Sequence, residues 1–265
     1  MGLTSRIIVA AAVVGFTTFT SQTNAAVLLA DDFESITPPS QPSTVRFNRT
    51  SGVTSARDTS FGATSTYVQF SGTSQSIFTV NQTSLPDVTT VKFDFIDLTP
   101  VVTSGDTDDG IPFGWGIAGG DLNSNAVLAL ELRQGRILSG GIGTVSSPTP
   151  TYTVGVAHEL RLIFNSSDTN TLSNYFGTED LAPNTAAIFL DGSLVGTALV
   201  TGSPAARVPG RFGLRTFSSD QTASIKLDNF SLEEGAVVPT AAVPEPATMS
   251  LLGLGAIGLL ARRRK

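Results

Sequence analysis

From Thr44 to Leu232 no stretch of the sequence sustains a 3.6-residue apolar period. Apolar residues fall instead in short alternating or continuous runs, cut by Gly, Pro, Asn, Asp and Ser, which is the chemistry of strands and turns. Residues 67–70, 77–80, 91–97, 127–132, 158–164, 187–190, 211–217 and 224–232 read as strands. In 158–164, Leu160, Leu162 and Phe164 share one face while Glu159 and Arg161 share the other, as a half-solvated antiparallel strand requires. The Asp191-Gly192 pair suits a type I′ hairpin turn, where both central residues need positive φ. About ten to twelve strands punctuated in this way predict an all-β, two-sheet antiparallel sandwich, a jelly roll.

Both ends depart from this pattern. One base at Arg6, an apolar run over residues 7–16 and small residues at Thr23 and Ala25 read as a signal peptide, residues 1–25, cut by signal peptidase. At the other end residues 247–261 are apolar, and a helix of that length covers about 22 Å at ~1.5 Å per residue. A bilayer core is about 30 Å thick, so the expectation is transient membrane residence rather than permanent anchoring. Arg262, Arg263, Arg264 and Lys265 would stay cytoplasmic, which places everything before Val243 on the outer side, in agreement with the signal peptide. Gly253, Gly255 and Gly258 match G-x-G-x-x-G, but the chain has neither the βαβ unit nor the later acid that a dinucleotide site needs.

Just outside the apolar run stands Val243-Pro244-Glu245-Pro246. Each proline withholds an N–H and pushes its predecessor to an extended conformation, so a helix cannot grow backward through it. A processing enzyme would meet an extended peptide at a fixed height above the membrane. Pro-Glu-Pro, a short apolar helix and a basic tail, in that order, resemble the PEP-CTERM sorting signal. The resemblance implies recognition of residues 243–265 by a membrane-embedded exosortase of Gram-negative bacteria with exopolysaccharide systems, and cleavage near the motif.

The strings "LLADDFES", "AHELRLIFN", "IFLDGSLVGT", "GRFGLRTF" and "IKLDNFSLEE", in that order, resemble concanavalin A-like or laminin-G-like jelly-roll domains. The likeness implies a body over residues 26–235, with the last strand beside the first and a linker over 236–242. It also implies a structural calcium where the terminal strands meet. Asp31, Asp32 and Asp228 are the oxygen ligands this places there. A second carboxylate cluster, Asp106, Asp108 and Asp109 in residues 104–110, lacks the order of an EF-hand and reads as a solvated loop.

Charge and residue counts narrow the chemistry. The formal net charge is −6, and setting aside Arg6, the four terminal bases and Glu245 leaves the body more acidic still, so nucleic acid is not an expected partner. With no cysteine and the single His158, thiol nucleophiles, cysteine zinc sites and multi-histidine metal sites are excluded. Hydrolysis of sugars needs two carboxylates flanking one bond. Glu131 stands alone, and the odd spacing of Asp94 and Asp97 sends them to opposite faces. Trp115, between two glycines, reads as core rather than as a sugar platform, and the tyrosines are three: Tyr67, Tyr152 and Tyr175. No catalytic residue is assigned. The expected function is that of a non-enzymatic exported protein, handled by an exosortase, that binds extracellular polysaccharide or packs into the matrix. A carbohydrate-active enzyme with an unrecognised site and a purely structural surface protein are the alternatives.

Overall fold

The structure, a computed structural model, describes residues 25–43, 46–49, 53–71, 77–80, 84–99, 110–117, 126–140, 143–200, 209–215 and 224–239. In chain order the strands are β1 (Val27–Asp31), β2 (Phe47–Arg49), β3 (Val53–Asp58), β4 (Ser65–Ser71), β5 (Ile77–Val80), β6 (Val88–Asp97), β7 (Ile111–Ile117), β8 (Ala126–Arg133) and β9 (Arg136–Ser139). There follow β10 (Thr144–Val145), β11 (Ala157–Asn165), β12 (Leu172–Phe176), β13 (Glu179–Leu181), β14 (Thr185–Leu190), β15 (Ser193–Leu199), β16 (Pro209–Arg215) and β17 (Ser224–Glu234). The strands beyond the ten to twelve expected are mostly short ones such as β2, β10 and β13, too brief to show a period.

One sheet runs β10-β15-β14-β11-β6-β17-β4-β3, with β1 also paired to β17; the other runs β2-β5-β16-β7-β8-β9. The two sheets form the antiparallel jelly-roll sandwich that the strand pattern predicts. The first strand does lie beside the last, Asp31 opposite Phe230. Asp191 and Gly192 have φ of 49° and 78°, which gives the β14–β15 hairpin its type I′ turn.

The core forms where alternate residues of the two sheets meet. Val91, Phe93 and Phe95 of β6, Leu160, Leu162 and Phe164 of β11, and Ile225, Leu227, Phe230 and Leu232 of β17 face Phe113, Trp115, Leu128, Leu130, Phe212 and Leu214. Trp115 is fully buried, its ring centroid 4.7 Å from Phe164 and 5.2 Å from Phe212. Its Nε1–H donates to Thr89 Oγ1 at 3.0 Å, so the one polar atom of the ring is satisfied inside the core.

The outer face of the larger sheet is shaped by a bulge and by a covering hairpin. In β17 the apolar positions change parity between Leu227 and Phe230, and a β-bulge absorbs the extra residue: the register against β6 shifts between Asp228 and Ser231, with Asn229 at φ 49°. The bulge keeps Phe230 and Leu232 facing inward and leaves Asp228 and Ser231 on the outer face. That outer face is not all solvated. Ile163, Ala187 and Phe189 lie under the β12–β13 hairpin, against Tyr175 and Leu181, with Ala236 and Val238 packed beside them. The half-solvated pattern expected for β11 therefore holds at Glu159 and Arg161 and fails at Ile163.

Candidate functional site

Along one edge β17 is shared end to end, by β4 over Ser224 to Leu227 and by β1 from Phe230 onward. At this junction the outer face opens into a shallow groove of about 330 Å³. Its walls come from Ala30 and Asp31 at the end of β1 and Asp32 after it, from Arg46 and Lys92, and from Asn229, Phe230 and Ser231 of the bulge.

The acidic groups here have structural reasons for their positions. Asp31 Oδ1 accepts from Phe33 N at 2.8 Å, and Oδ2 accepts from the Arg46 guanidinium at 2.9 Å. This turn holds Phe33 at φ 58° and drives its ring into the core as the chain leaves the larger sheet. Asp32 Oδ1 accepts from Glu34 N at 3.1 Å. Glu34 in turn bonds Thr66 N at 2.7 Å and pairs with Arg57, tying the loop to β3 and β4. Those two contacts hold the Glu34 carboxyl below the usual carboxylate range, the Thr66 backbone N–H having the larger effect. Lys92 sits opposite Ser231 in register; its ammonium makes no hydrogen bond or ion pair with any described residue and acts on Asp94, two positions on, only through space. Its ammonium is thus available to a ligand. The Ser231 hydroxyl donates to Glu233 Oε1 at 2.9 Å.

Beside the groove two carboxylates face each other across the strands, Asp228 of β17 opposite Asp94 of β6. The sequence did not bring them together, because they lie 134 positions apart and become neighbours only through strand register. Asn229 spans the pair: its Nδ2 donates to Asp94 Oδ2 at 2.7 Å and its backbone N to Asp228 Oδ1 at 2.8 Å. Burial pushes both carboxyls above their ordinary value, and each is pushed further by neighbouring acids. A folded-state pKa above the unfolded one means that the folded protein holds its proton longer. Stability from this pair is therefore present at low pH and lost as pH rises from the ordinary carboxylate value through the raised one. Asp228→Asn, which keeps an oxygen for the Asn229 N–H, is expected to raise the melting temperature relative to wild type more at pH 7 than at pH 3. Melting curves at the two pH values check this.

The calcium expectation can be tested against this geometry. The terminal strands do meet, but both Asp31 oxygens are taken by Arg46 and a backbone N–H, and Asp228 lies level with Asp94, before the residues of β17 that pair with β1. Among the described residues no three or more acidic or histidine side chains gather around one point. Asp31, Asp32 and Asp228 thus do not fit the ion, and the likeness that placed it there does not extend to these side chains.

Other residues singled out from the sequence have structural occupations. Asp97 and Asp94 do point to opposite faces: Asp97 is buried, accepting from Tyr152 Oη at 2.7 Å and Thr99 N at 2.8 Å. Burial, and then the Asp97 carboxylate, raise the Tyr152 hydroxyl far above its ordinary value. His158 Nδ1 bonds Asp191 Oδ2 at 2.8 Å, and its ring packs on Phe95. Tyr67 donates to Asp58, which also takes the Lys226 ammonium at 3.2 Å. Glu131 lies 3.8 Å from Arg133, and Gly110 packs so closely on its carboxylate that a Cβ there would collide with it. Val243, Pro244, Glu245 and Pro246, the bases Arg262 to Lys265, the segment read as a signal peptide up to Asn24 and the segment read as an acidic loop up to Asp109 lie outside the described residues.

Comparison with known proteins decides the role of the C-terminal segment. The PEP-CTERM protein-sorting motif matches residues 242–265. This chain carries that sorting motif. A PEP-CTERM tail marks an exported protein bound for the cell envelope, consistent with the order of proline pair, apolar run and basic tail. No curated protein matches the chain. Among solved structures, the receptor binding domain of botulinum neurotoxin type G matches at TM-score 0.50 with 11% identity, over 82% of this chain and 49% of that one. A carbohydrate esterase of Shiga toxin-encoding bacteriophage phi24B matches at 0.49 with 13% identity, over 80% and 99%. The metal-free carbohydrate recognition domain of Emp46p matches at 0.44 with 14% identity, over 78% and 96%. These likenesses concern the fold.

Proposed function

We propose that this PEP-CTERM protein is exported, processed by an exosortase and displayed at the cell envelope, where its jelly-roll body binds extracellular polysaccharide in the groove beside β1, β6 and β17. The observation that carries the ligand class is the composition of that groove. It offers the Lys92 ammonium, the outward N–H groups of the Arg46 guanidinium, the Asn229 amide and the Asp32 carboxylate over a shallow open surface, with Asp31 holding Arg46 in place. Donors and acceptors mixed at this density suit a polyhydroxylated chain, which presents both at every ring, better than an apolar small molecule, which needs enclosure. Lys92, with no hydrogen bond or ion pair to a described residue, adds a preference for saccharides that carry carboxylate or another anion.

The mature protein is expected to be retained by an acidic polysaccharide in a pull-down, and Lys92→Ala to weaken that binding by about tenfold, the equivalent of ~1.4 kcal/mol. Retention unchanged in Lys92→Ala would count against the groove, and no retention by any polysaccharide would favour a purely structural role. A hydrolytic reading has one observation in its favour, the opposed Asp94 and Asp228 with raised pKa values. Sugar release that Asp94→Asn abolishes would support it over simple binding.

A further inference from the structure

Asn229 belongs to two groups at once. It lines the groove, and its Nδ2 donates to Asp94 Oδ2 at 2.7 Å while its backbone N donates to Asp228 Oδ1 at 2.8 Å. The bulge in β17 makes this double role possible, since a φ of 49° turns the residue out of the regular strand and leaves it exposed.

An ionised carboxylate only accepts hydrogen bonds, so Asp94 decides which way the Asn229 amide faces. With Nδ2 held toward Asp94, Oδ1 is left over, and it accepts from no described residue. The groove is then offered an acceptor. A protonated Asp94 reverses the demand: its O–H donates, a carbonyl is the better partner, and a half-turn of the amide exchanges Oδ1 for Nδ2. The groove then gains a donor. Asp228 has no such lever, because its bond to Asn229 is made by a backbone N–H that cannot turn.

The charges around Asp94 act in the same direction. On β6 Lys92 lies two positions away, about 7 Å at ~3.3 Å per residue, and feels the Asp94 charge through space. On β17 stand Asp228, opposite Asp94, and Lys226, which is engaged by Asp58. On β11 Glu159 is opposite on the other side and is paired with Arg161; beyond it Asp191 is bonded to His158. Burial, then Glu159 and Asp191, hold the Asp94 carboxyl above its ordinary value against the opposing pull of the Asn229 amide and Lys92.

We infer that Asp94 is a proton-operated selector for the groove: neutral, it leaves the Asn229 amide donor and the Lys92 ammonium to an anionic saccharide; ionised, it withdraws both. The inference rests on the proposed reading of this groove as the saccharide site. Its sign follows from linkage. An anion that prefers the protonated form binds more tightly as pH falls from above the raised value of Asp94 toward the ordinary carboxylate value, and its binding takes up a proton. A neutral saccharide, whose hydroxyls both donate and accept, meets either face of the amide equally well.

The test uses the mature protein with dextran sulfate, whose anion does not titrate in this range, and with unsulfated dextran, by titration calorimetry at pH 4.5 and pH 8. Affinity for dextran sulfate is expected to be several-fold higher at pH 4.5, with proton uptake read from the dependence of the heat on the buffer, while dextran shows no such difference. Asp94→Asn, a permanently neutral side chain that can donate to Oδ1, is expected to bind tightly at both pH values. Asn229→Gly, which tolerates the positive φ and deletes the amide, is expected to narrow the difference. Asp87→Asn removes one acid at the far end of β6 and is expected to keep the wild-type profile, which separates the selector from a general loss of negative charge. A wild-type profile in Asp94→Asn, with Lys92→Ala still weakening the binding, would overturn the selector and leave the groove standing. Binding that Lys92→Ala leaves unchanged at both pH values, or no binding of dextran sulfate at all, would overturn the groove reading and the selector with it.

Discussion

Precursor in which Pro244, Glu245 and Pro246 are all replaced by alanine is expected to accumulate at full length in an exosortase-bearing host, with maturation lost almost completely. Two physical effects act together. Alanine restores the N–H groups and removes the conformational block that the prolines impose, so the peptide offered to the enzyme is no longer held extended. Helix can also grow backward from residue 247 through Val243. The apolar segment would then reach about 28 Å at ~1.5 Å per residue, close to the thickness of a bilayer core. On the proposed reading of residues 247–261 as a short membrane segment, this lengthening favours permanent anchoring over release. Immunoblotting of the cell envelope distinguishes precursor from mature chain, and unchanged maturation would contradict the sorting role of the motif.

Trp115→Ala is expected to be the most damaging single change in the body. The side chain is fully buried and meets Phe164 and Phe212. Truncation of a buried aromatic of this size costs about 3–5 kcal/mol, a large part of the 5–15 kcal/mol that holds a typical domain folded. The lost indole also leaves the buried Thr89 hydroxyl without its donor. Trp115→Phe keeps a ring between the sheets and loses chiefly the hydrogen bond and some packing, so it should cost clearly less. Urea unfolding followed by circular dichroism measures both, since the substitutions remove the chain's only tryptophan as a fluorescence signal. A loss below about 1 kcal/mol for Trp115→Ala would contradict this packing.

How much of the molecule was legible in the sequence depended on whether the signal was local. Strand period is local, so residues 77–80 were read as β5 and residues 158–164 lie within β11; the Asp191-Gly192 turn was likewise written in two adjacent residues. The sorting tail was legible for the same reason, as three ordered elements in one short segment. The site was not, because strand register creates it. Asp94 meets Asp228, and Lys92 meets Ser231, only once β6 and β17 are aligned with one extra residue between them. The bulge did leave a trace, the change of parity between Leu227 and Phe230, which could have placed Asn229 at a special backbone position. The calcium set failed for a related reason: pairing of the terminal strands was foreseen, but nothing near Asp31 in sequence announces that Arg46, 15 positions on, takes its carboxylate. The packing of Ala236 and Val238 was not legible either, because it depends on the apolar outer face of β11 and β14 that lies beneath them.

Export of this jelly roll, with trimming at both ends before display, is tested most directly by intact-mass spectrometry of the protein purified from its native cell envelope. The chain is expected to begin at Ala26 and to end near Val243, with any attached group read from the residual mass. A single species with the mass of all 265 residues would contradict it.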